Sequence, residues 1–302
     1  MKNIALFCLC LMVCGCQNKT IYKDTRLALG TYIEVTSSNR RAAKIVFDEI
    51  QRIENLLSKY KPDSEISKLN RLGRLKVSPE TFQIIKTSIE FSRATNQAFD
   101  ITVAPLMDLW GFTDKKFRVP KDLEIKTALM LIGSDKIVLN VTQSMIEFSF
   151  PGMKIDLGGI AKGFALDCAV KKLKENNVTS CLISGGQVYA LGSKSGKPWK
   201  VAIKDPRAQR PADEIELKDQ SVATSGDYEQ YFIVNGKRFC HILDPRTGCP
   251  AESGVISATV VSSDGFTADA LSTAVFVLGK IKGEELAQKF PGTRIKTICQ
   301  TN

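Results

Sequence analysis

Among the nine cysteines there is no Cys-x-x-Cys pair and no other zinc spacing, so a structural zinc site is excluded. There is one histidine, His241, which leaves a single imidazole for proton transfer near neutral pH. No Walker or dinucleotide-binding glycine spacing occurs, and no basic run is interleaved with aromatics, which argues against nucleic acid as a partner. Internal repeats, low-complexity tracts and clear linkers are also missing, so one compact unit of two lobes is expected. The apolar run from Ile4 to Val13 is too short to span a bilayer as an ordinary helix.

That run follows Lys2 and ends Val13-Cys14-Gly15-Cys16, the pattern of a bacterial secretory signal closing on a lipobox. Residues 1–15 read as a lipoprotein signal peptide, Cys16 as the lipidated residue, 16–22 as a tether and 23–302 as the folded domain. The expectation is an exported protein, lipid-anchored on the periplasmic side of the cytoplasmic (inner) membrane. Outside the signal, Cys168, Cys181, Cys240, Cys249 and Cys299 remain, an odd set that cannot be a complete intramolecular disulfide framework. Cys240 and Cys249 read either as a bridge or as two small buried thiols.

A hydrophobic content of 43% over 302 residues is enough for a well-buried core. Lysine and arginine number 42 against 32 acids, and the net charge of +10 favours phosphorylated ligands or an anionic membrane surface. Along the chain, a strand is expected over 27–36, then an amphipathic helix with Ile45, Ile50, Ile53 and Leu57 at helical spacing. Ser64 caps a short helix, and Ser78, followed by Pro79, caps one that runs to about Thr95. Residues 98–112 read as an apolar loop too rich for the surface. A helix at 123–131 and strands at 136–140 and 145–150 precede the Gly158-Gly159 turn, which leads into a helix ending near Lys174. Strands follow at 180–184, 187–191, 199–203 and 214–217, then a hairpin of 228–234 and 238–243 through Asn235-Gly236. A strand at 255–262, a helix at 266–278 and a final helix and strand complete the pattern. Without regular βαβ alternation this is an α+β fold, with mixed or antiparallel sheets and packed helices.

Asp269 and Thr273 stand four apart on the 266–278 helix, so both oxygens face one side. A hard cation such as magnesium takes that kind of ligand, with phosphate and water at its other positions. Thr224-Ser225-Gly226-Asp227 reads as a turn whose hydroxyls and backbone hold phosphate, or as a plain turn. His241 precedes the tight turn Asp244-Pro245-Arg246-Thr247-Gly248 and is the candidate to take a proton from an attacking hydroxyl. Asp244 is the alternative base, a partner of His241, or only the first residue of its turn.

The segments LGTYIEV, SKYKPDSEISKLN, FDITVAPLMDLWGF, KIDLGGIAKGFALD, CLISGGQVYALG, ATSGDYEQYF, HILDPRTGCP and ADALSTAVFVLG follow one another over almost the whole chain. In that order, behind a lipoprotein signal, they resemble the ApbE family, the FAD:protein FMN transferases or flavin transferases of the thiamine-biosynthesis-lipoprotein type. The resemblance implies a T-fold-like architecture and an exported enzyme that uses FAD and Mg2+ to esterify FMN onto a threonine or serine of a flavoprotein, releasing AMP. The acceptors it points to are flavin-carrying subunits of membrane redox complexes. It maps flavin contacts onto Leu29, Tyr60, Ala98, Phe99, Asp100, Asp156 and Lys162, with Lys162 pairing a phosphate. A third metal ligand is implied at the carbonyl of Gly159, with Ala161 the alternative in the same motif. Leu29 stands where the family commonly has methionine, which alters the shape of that contact. Hydrolysis of FAD to FMN and AMP is the runner-up. A non-catalytic, lipid-anchored flavin carrier is a third reading, against which Asp269 and Thr273 argue.

Overall fold

The computed structural model describes residues 20–300 except 209, so the signal peptide and Cys16 lie outside the described residues. β1 (Tyr22–Ala28) and β2 (Thr31–Ser37) are followed by α1 (Ala42–Leu57), α2 (Glu65–Leu72) and β3 (Arg74–Lys76). Next come α3 (Pro79–Ala94), α4 (Ala104–Leu109), α5 (Asp122–Leu129), β4 (Ile137–Asn140) and β5 (Met145–Phe148). After α6 (Ala161–Glu175) lie β6 (Cys181–Ser184), β7 (Gln187–Leu191), β8 (Trp199–Lys204) and β9 (Pro211–Leu217). β10 (Gln220–Gly226), β11 (Tyr231–Val234), β12 (Lys237–Cys240) and β13 (Val255–Ser262) lead to α7 (Gly265–Leu278), α8 (Lys280–Ala287) and β14 (Arg294–Cys299).

The α+β class is observed, and every strand pairing among the described residues is antiparallel. The main sheet has seven strands in the order β1-β2-β6-β7-β10-β13-β14. β13 is buried along its whole length, because α7 packs on one face and Trp199 and Leu217 of the β8–β9 hairpin cover the other. On the helical side, Val46, Ile50, Ile53 and Leu57 recur at helical spacing along α1 and are buried, and α1 packs on α6. Ser64 and Ser78 cap α2 and α3 as their sequences require, accepting from the backbone of Ser67 and Thr81.

A second, smaller core lies under the β11–β12 hairpin. Leu106, Trp110, Phe112 and Ile125 pack there against Phe232 and Phe239, with Trp110 and Phe239 ring centroids 5.6 Å apart. Trp110 Nε1 donates to the Gly248 carbonyl at 2.8 Å, which ties the Asp244–Gly248 turn to α4. These two cores are the lobes between which the site forms.

Three expectations need correction. The strand over 27–36 is a hairpin, turned at Leu29 and Gly30, whose φ of 51° and 75° suit a two-residue loop of the type matched to strand twist. Residues 224–226 are no turn but the end of β10, paired with β13, because burial beside α7 overrides the turn preference of small polar residues. The apolar stretch 98–112 contains a 3-10 turn and α4 rather than only loop. Cys240 and Cys249 are both free, Cys240 buried and Cys249 half-buried, so of their two readings the unbridged one is observed.

Candidate active site

The site begins at a close crossing of two helices. A Cβ on Gly163 in α6 would run into the carbonyl of Gly265 at the start of α7, so only glycine permits the approach. It brings the first turn of α6 against Asp269, whose Oδ2 accepts from Gly163 N at 3.0 Å. In a regular helix that N–H would donate to the carbonyl four residues back. Here it does not, and among the described residues the Gly159 carbonyl has no hydrogen-bond partner. Ala161 already belongs to α6, where its carbonyl is used within the helix.

Asp269 is buried, and its Oδ1 lies 3.8 Å from Lys162 Nζ. One turn on, Thr273 Oγ1 lies 3.3 Å from Ser225 Oγ, and a Cβ on Gly159 would sit 3.4 Å from the same Thr273 oxygen. A carboxylate, a hydroxyl and an unpaired carbonyl thus converge. All three are hard oxygens, the donor set that fits Mg2+.

These groups line a cavity of about 270 Å³ between the lobes, together with Tyr60, Ala98, Phe99, Asp100, Asp156, Thr224 and His241. Tyr60, Asp156, Gly158 and Lys162 also border a neighbouring hollow of about 460 Å³, which Leu29 and Ala161 line. The two hollows share a wall. Asp156 stands in it, with Oδ2 2.7 Å from Lys59 Nζ and Oδ1 accepting from Gly158 N at 2.8 Å. Burial works against the Lys59 charge, but Asp156 outweighs it and the lysine pKa is raised.

His241 Nδ1 lies 3.1 Å from the Gln230 carbonyl, which can only accept. Nδ1 therefore carries the proton, and Nε2 keeps its lone pair. Burial, above all, pushes the ring pKa down to about 4, with Lys162 adding to the shift and the Gln230 carbonyl and Asp156 opposing it. Glu229 also lines the cavity, and burial raises its pKa against the pull of Lys162.

Two sequence candidates are placed differently from the rest. Asp244 lies outside the cavity, in its turn, with both carboxylate oxygens held by Arg246 and Oδ1 also accepting from the Arg246 amide. Of its three readings the geometry favours the first residue of a turn. Asp100 borders the cavity, but its carboxylate faces inward and accepts from Ser92, from Ser134 N and from both the amide and hydroxyl of Thr102. It acts there as a cap. Lys59, Glu229, Gln230 and Gly163 were not singled out by sequence, although Lys59 sits beside Tyr60 in a segment that was. Thr224 Oγ1 lies 2.9 Å from Thr259 Oγ1 across the sheet.

A buried carboxylate, a hydroxyl and an unpaired carbonyl stand beside a lysine and an imidazole with a free lone pair, a set of groups suited to phosphoryl chemistry. The profile of the ApbE family matches residues 29–296. The FAD:protein FMN transferase of Haemophilus influenzae is 32% identical over 310 residues, covering 95% of this chain and 90% of that protein. That of Klebsiella pneumoniae is 34% identical over 271 residues, covering 87% and 84%. The solved ApbE protein of Thermotoga maritima matches with a TM-score of 0.86 at 37% identity, covering 93% of this chain and 94% of that one. The flavin transferase ApbE from Vibrio cholerae matches with a TM-score of 0.82 at 28% identity over 94% of each chain. The chain belongs to the ApbE family.

Proposed function

We propose that this chain is an Mg2+-dependent FAD:protein FMN transferase that moves the FMN moiety of FAD onto a threonine or serine hydroxyl of a flavoprotein and releases AMP. The observation that carries the reading is the unpaired Gly159 carbonyl beside Asp269 and Thr273 in one cavity with Lys162 and His241. Relatives named for the same activity support it along nearly the full chain.

The acceptor hydroxyl gives its proton to His241 Nε2 while its oxygen attacks the FMN phosphorus. An O–P bond forms as the P–O bond to the AMP phosphate breaks, and AMP leaves with the electron pair. Asp269, Thr273 and the Gly159 carbonyl would hold the Mg2+, which supplies charge neutralisation between the two phosphates. Lys162 offsets further phosphate charge. The phosphates of bound FAD favour the imidazolium, so substrate lifts His241 from the low pKa that burial sets. Phe99 and Tyr60 offer flat apolar surface for the flavin ring, and Leu29, Ala98, Asp156 and Thr224 frame the rest. The protein is exported, anchored through Cys16 on the periplasmic side of the inner membrane, and acts on subunits of membrane redox complexes.

The test incubates the protein with FAD, Mg2+ and candidate acceptor flavoproteins, and follows AMP and covalent flavin fluorescence. AMP with fluorescent acceptor is the expected result. AMP alone would make the enzyme an FAD pyrophosphatase, and bound FAD with no AMP at any Mg2+ concentration would leave only a carrier.

A further inference from the structure

β11 and β12 form a two-stranded hairpin that grows directly out of the cavity. Its root is Gln230 and His241, both cavity residues, joined by His241 N donating to the Gln230 carbonyl at 2.9 Å. In an antiparallel pair, hydrogen-bonded and non-bonded residue pairs alternate. With Gln230 and His241 bonded, Phe232 pairs with Phe239 and Val234 with Lys237 in the same way, and the amides and carbonyls of Tyr231 and Ile233 point away from β12. No third strand joins β11, and those outward groups have no backbone partner among the described residues. On the β12 side Cys240 is 4% exposed, whereas on β11 Tyr231 is 39% and Ile233 58% exposed, so β11 is the more accessible of the two edges.

An open strand edge is a template for another extended chain. This one leads into the cavity. Ile233 and Gln230 are three residues apart, about 10 Å of extended backbone, so a four- or five-residue segment bridges edge and cavity. Charge around the hairpin gives the segment a sign. Arg207 and Lys237 are paired with Asp227 and Glu252, but Lys204 and Arg238 lie over the rings of Tyr228 and Tyr231 without a carboxylate partner among the described residues.

We propose that an extended, acidic segment of the acceptor polypeptide adds to β11 as a third strand and so delivers its hydroxyl past Gln230 to His241. The inference rests on the transferase reading and adds to it where and how the protein substrate docks. Backbone pairing at Tyr231 and Ile233 sets the register, which decides which hydroxyl reaches the cavity.

Ile233→Pro deletes an outward amide and leaves the ladder bonds of Phe232 and Val234 in place. In the native host deleted for the gene, the wild-type chain should restore covalently flavinylated proteins, seen as fluorescent bands on denaturing gels. Ile233→Pro should restore them at least tenfold less while the purified variant binds FAD within twofold of wild type. Lys204→Glu, which leaves the backbone unchanged, should weaken the bands several-fold. Bands of wild-type intensity in both variants would overturn the proposal, and so would an equal loss of FAD binding and flavinylation in Ile233→Pro. No bands with the wild-type chain would instead overturn the transferase reading itself.

Discussion

Where α1, α3 and α6 meet, Glu49, Glu80 and the Cys168 thiol bring their ligand atoms within 4.8 Å of one another, whereas Asp269 in the cavity belongs to no such cluster among the described residues. Arg52 closes that group. Its guanidinium reaches Glu49 at 2.7 Å and Glu80 at 2.6 Å, with a second bond to each, and burial pushes the Cys168 thiol up to about 12. In the cavity no guanidinium arrives: Asp269 has one amide and a lysine at 3.8 Å, and the Gly159 carbonyl stands unpaired beside it. The density of acids therefore does not mark a cation site. What distinguishes the cavity is that its oxygens are left without a bidentate guanidinium, with only Lys162 3.8 Å from Asp269.

Removing the cavity acid should have the largest effect of any change in this comparison. Asp269→Ala should lower AMP release from FAD by a factor on the order of 10³ or more and abolish Mn2+ binding measured by electron paramagnetic resonance. Retained Mn2+ binding would remove the assignment. His241→Gln should cost roughly 10²-fold in flavin transfer with FAD affinity nearly kept. Equal losses in transfer and in FAD affinity would give the ring a structural role.

Because His241 is the only histidine, its imidazole resonance can be followed without assignment, and in the FAD-free protein it should titrate near 4 rather than 6.5. A depressed folded pKa means that the neutral ring contributes stability at pH above about 6.5, and that this is lost as pH falls through about 4. Denaturant unfolding at pH 7 and pH 4.5 should therefore differ less in His241→Gln than in wild type, by at most ~3 kcal/mol.

Lys59→Met, which leaves Asp156 without its ammonium partner, should weaken FAD binding about tenfold, and Lys59→Arg should recover most of it. The smallest effect on activity belongs to the closed cluster. Arg52→Met should leave turnover within about twofold but cost roughly 1–2 kcal/mol of stability, since Glu49 is buried while Arg52 is half-exposed. A large activity loss there, without loss of stability, would erase the contrast between the two clusters.

Local chemistry was the legible part of this chain. The caps at Ser64 and Ser78, the Asn235-Gly236 hairpin and the helix bearing Asp269 and Thr273 all depend on neighbours within a few residues, and each stands where its residues imply. β10 was misread because Thr224, Ser225 and Gly226 have the composition of a turn, and only burial between β7 and β13 makes them a strand. The Gly163–Gly265 crossing, the Asp156–Lys59 pair and the reach of Arg52 to Glu80 each join distant parts of the chain. No periodicity announces such pairs. The unpaired Gly159 carbonyl was equally hidden, since it follows from where a glycine amide 106 residues from Asp269 sends its hydrogen bond.

The bond from Trp110 to Gly248 spans 138 residues, which gives the protein a timetable as well as a shape. At synthesis rates of roughly 5–20 residues per second, roughly 7–28 s separate the making of Trp110 from that of Gly248. Until then the smaller lobe has no lid and the His241 ring has not been made. Any chain that stops short of Gly248 lacks the anchor, so the reactive cavity is among the last parts to be finished and a partial translation product carries no working copy of it.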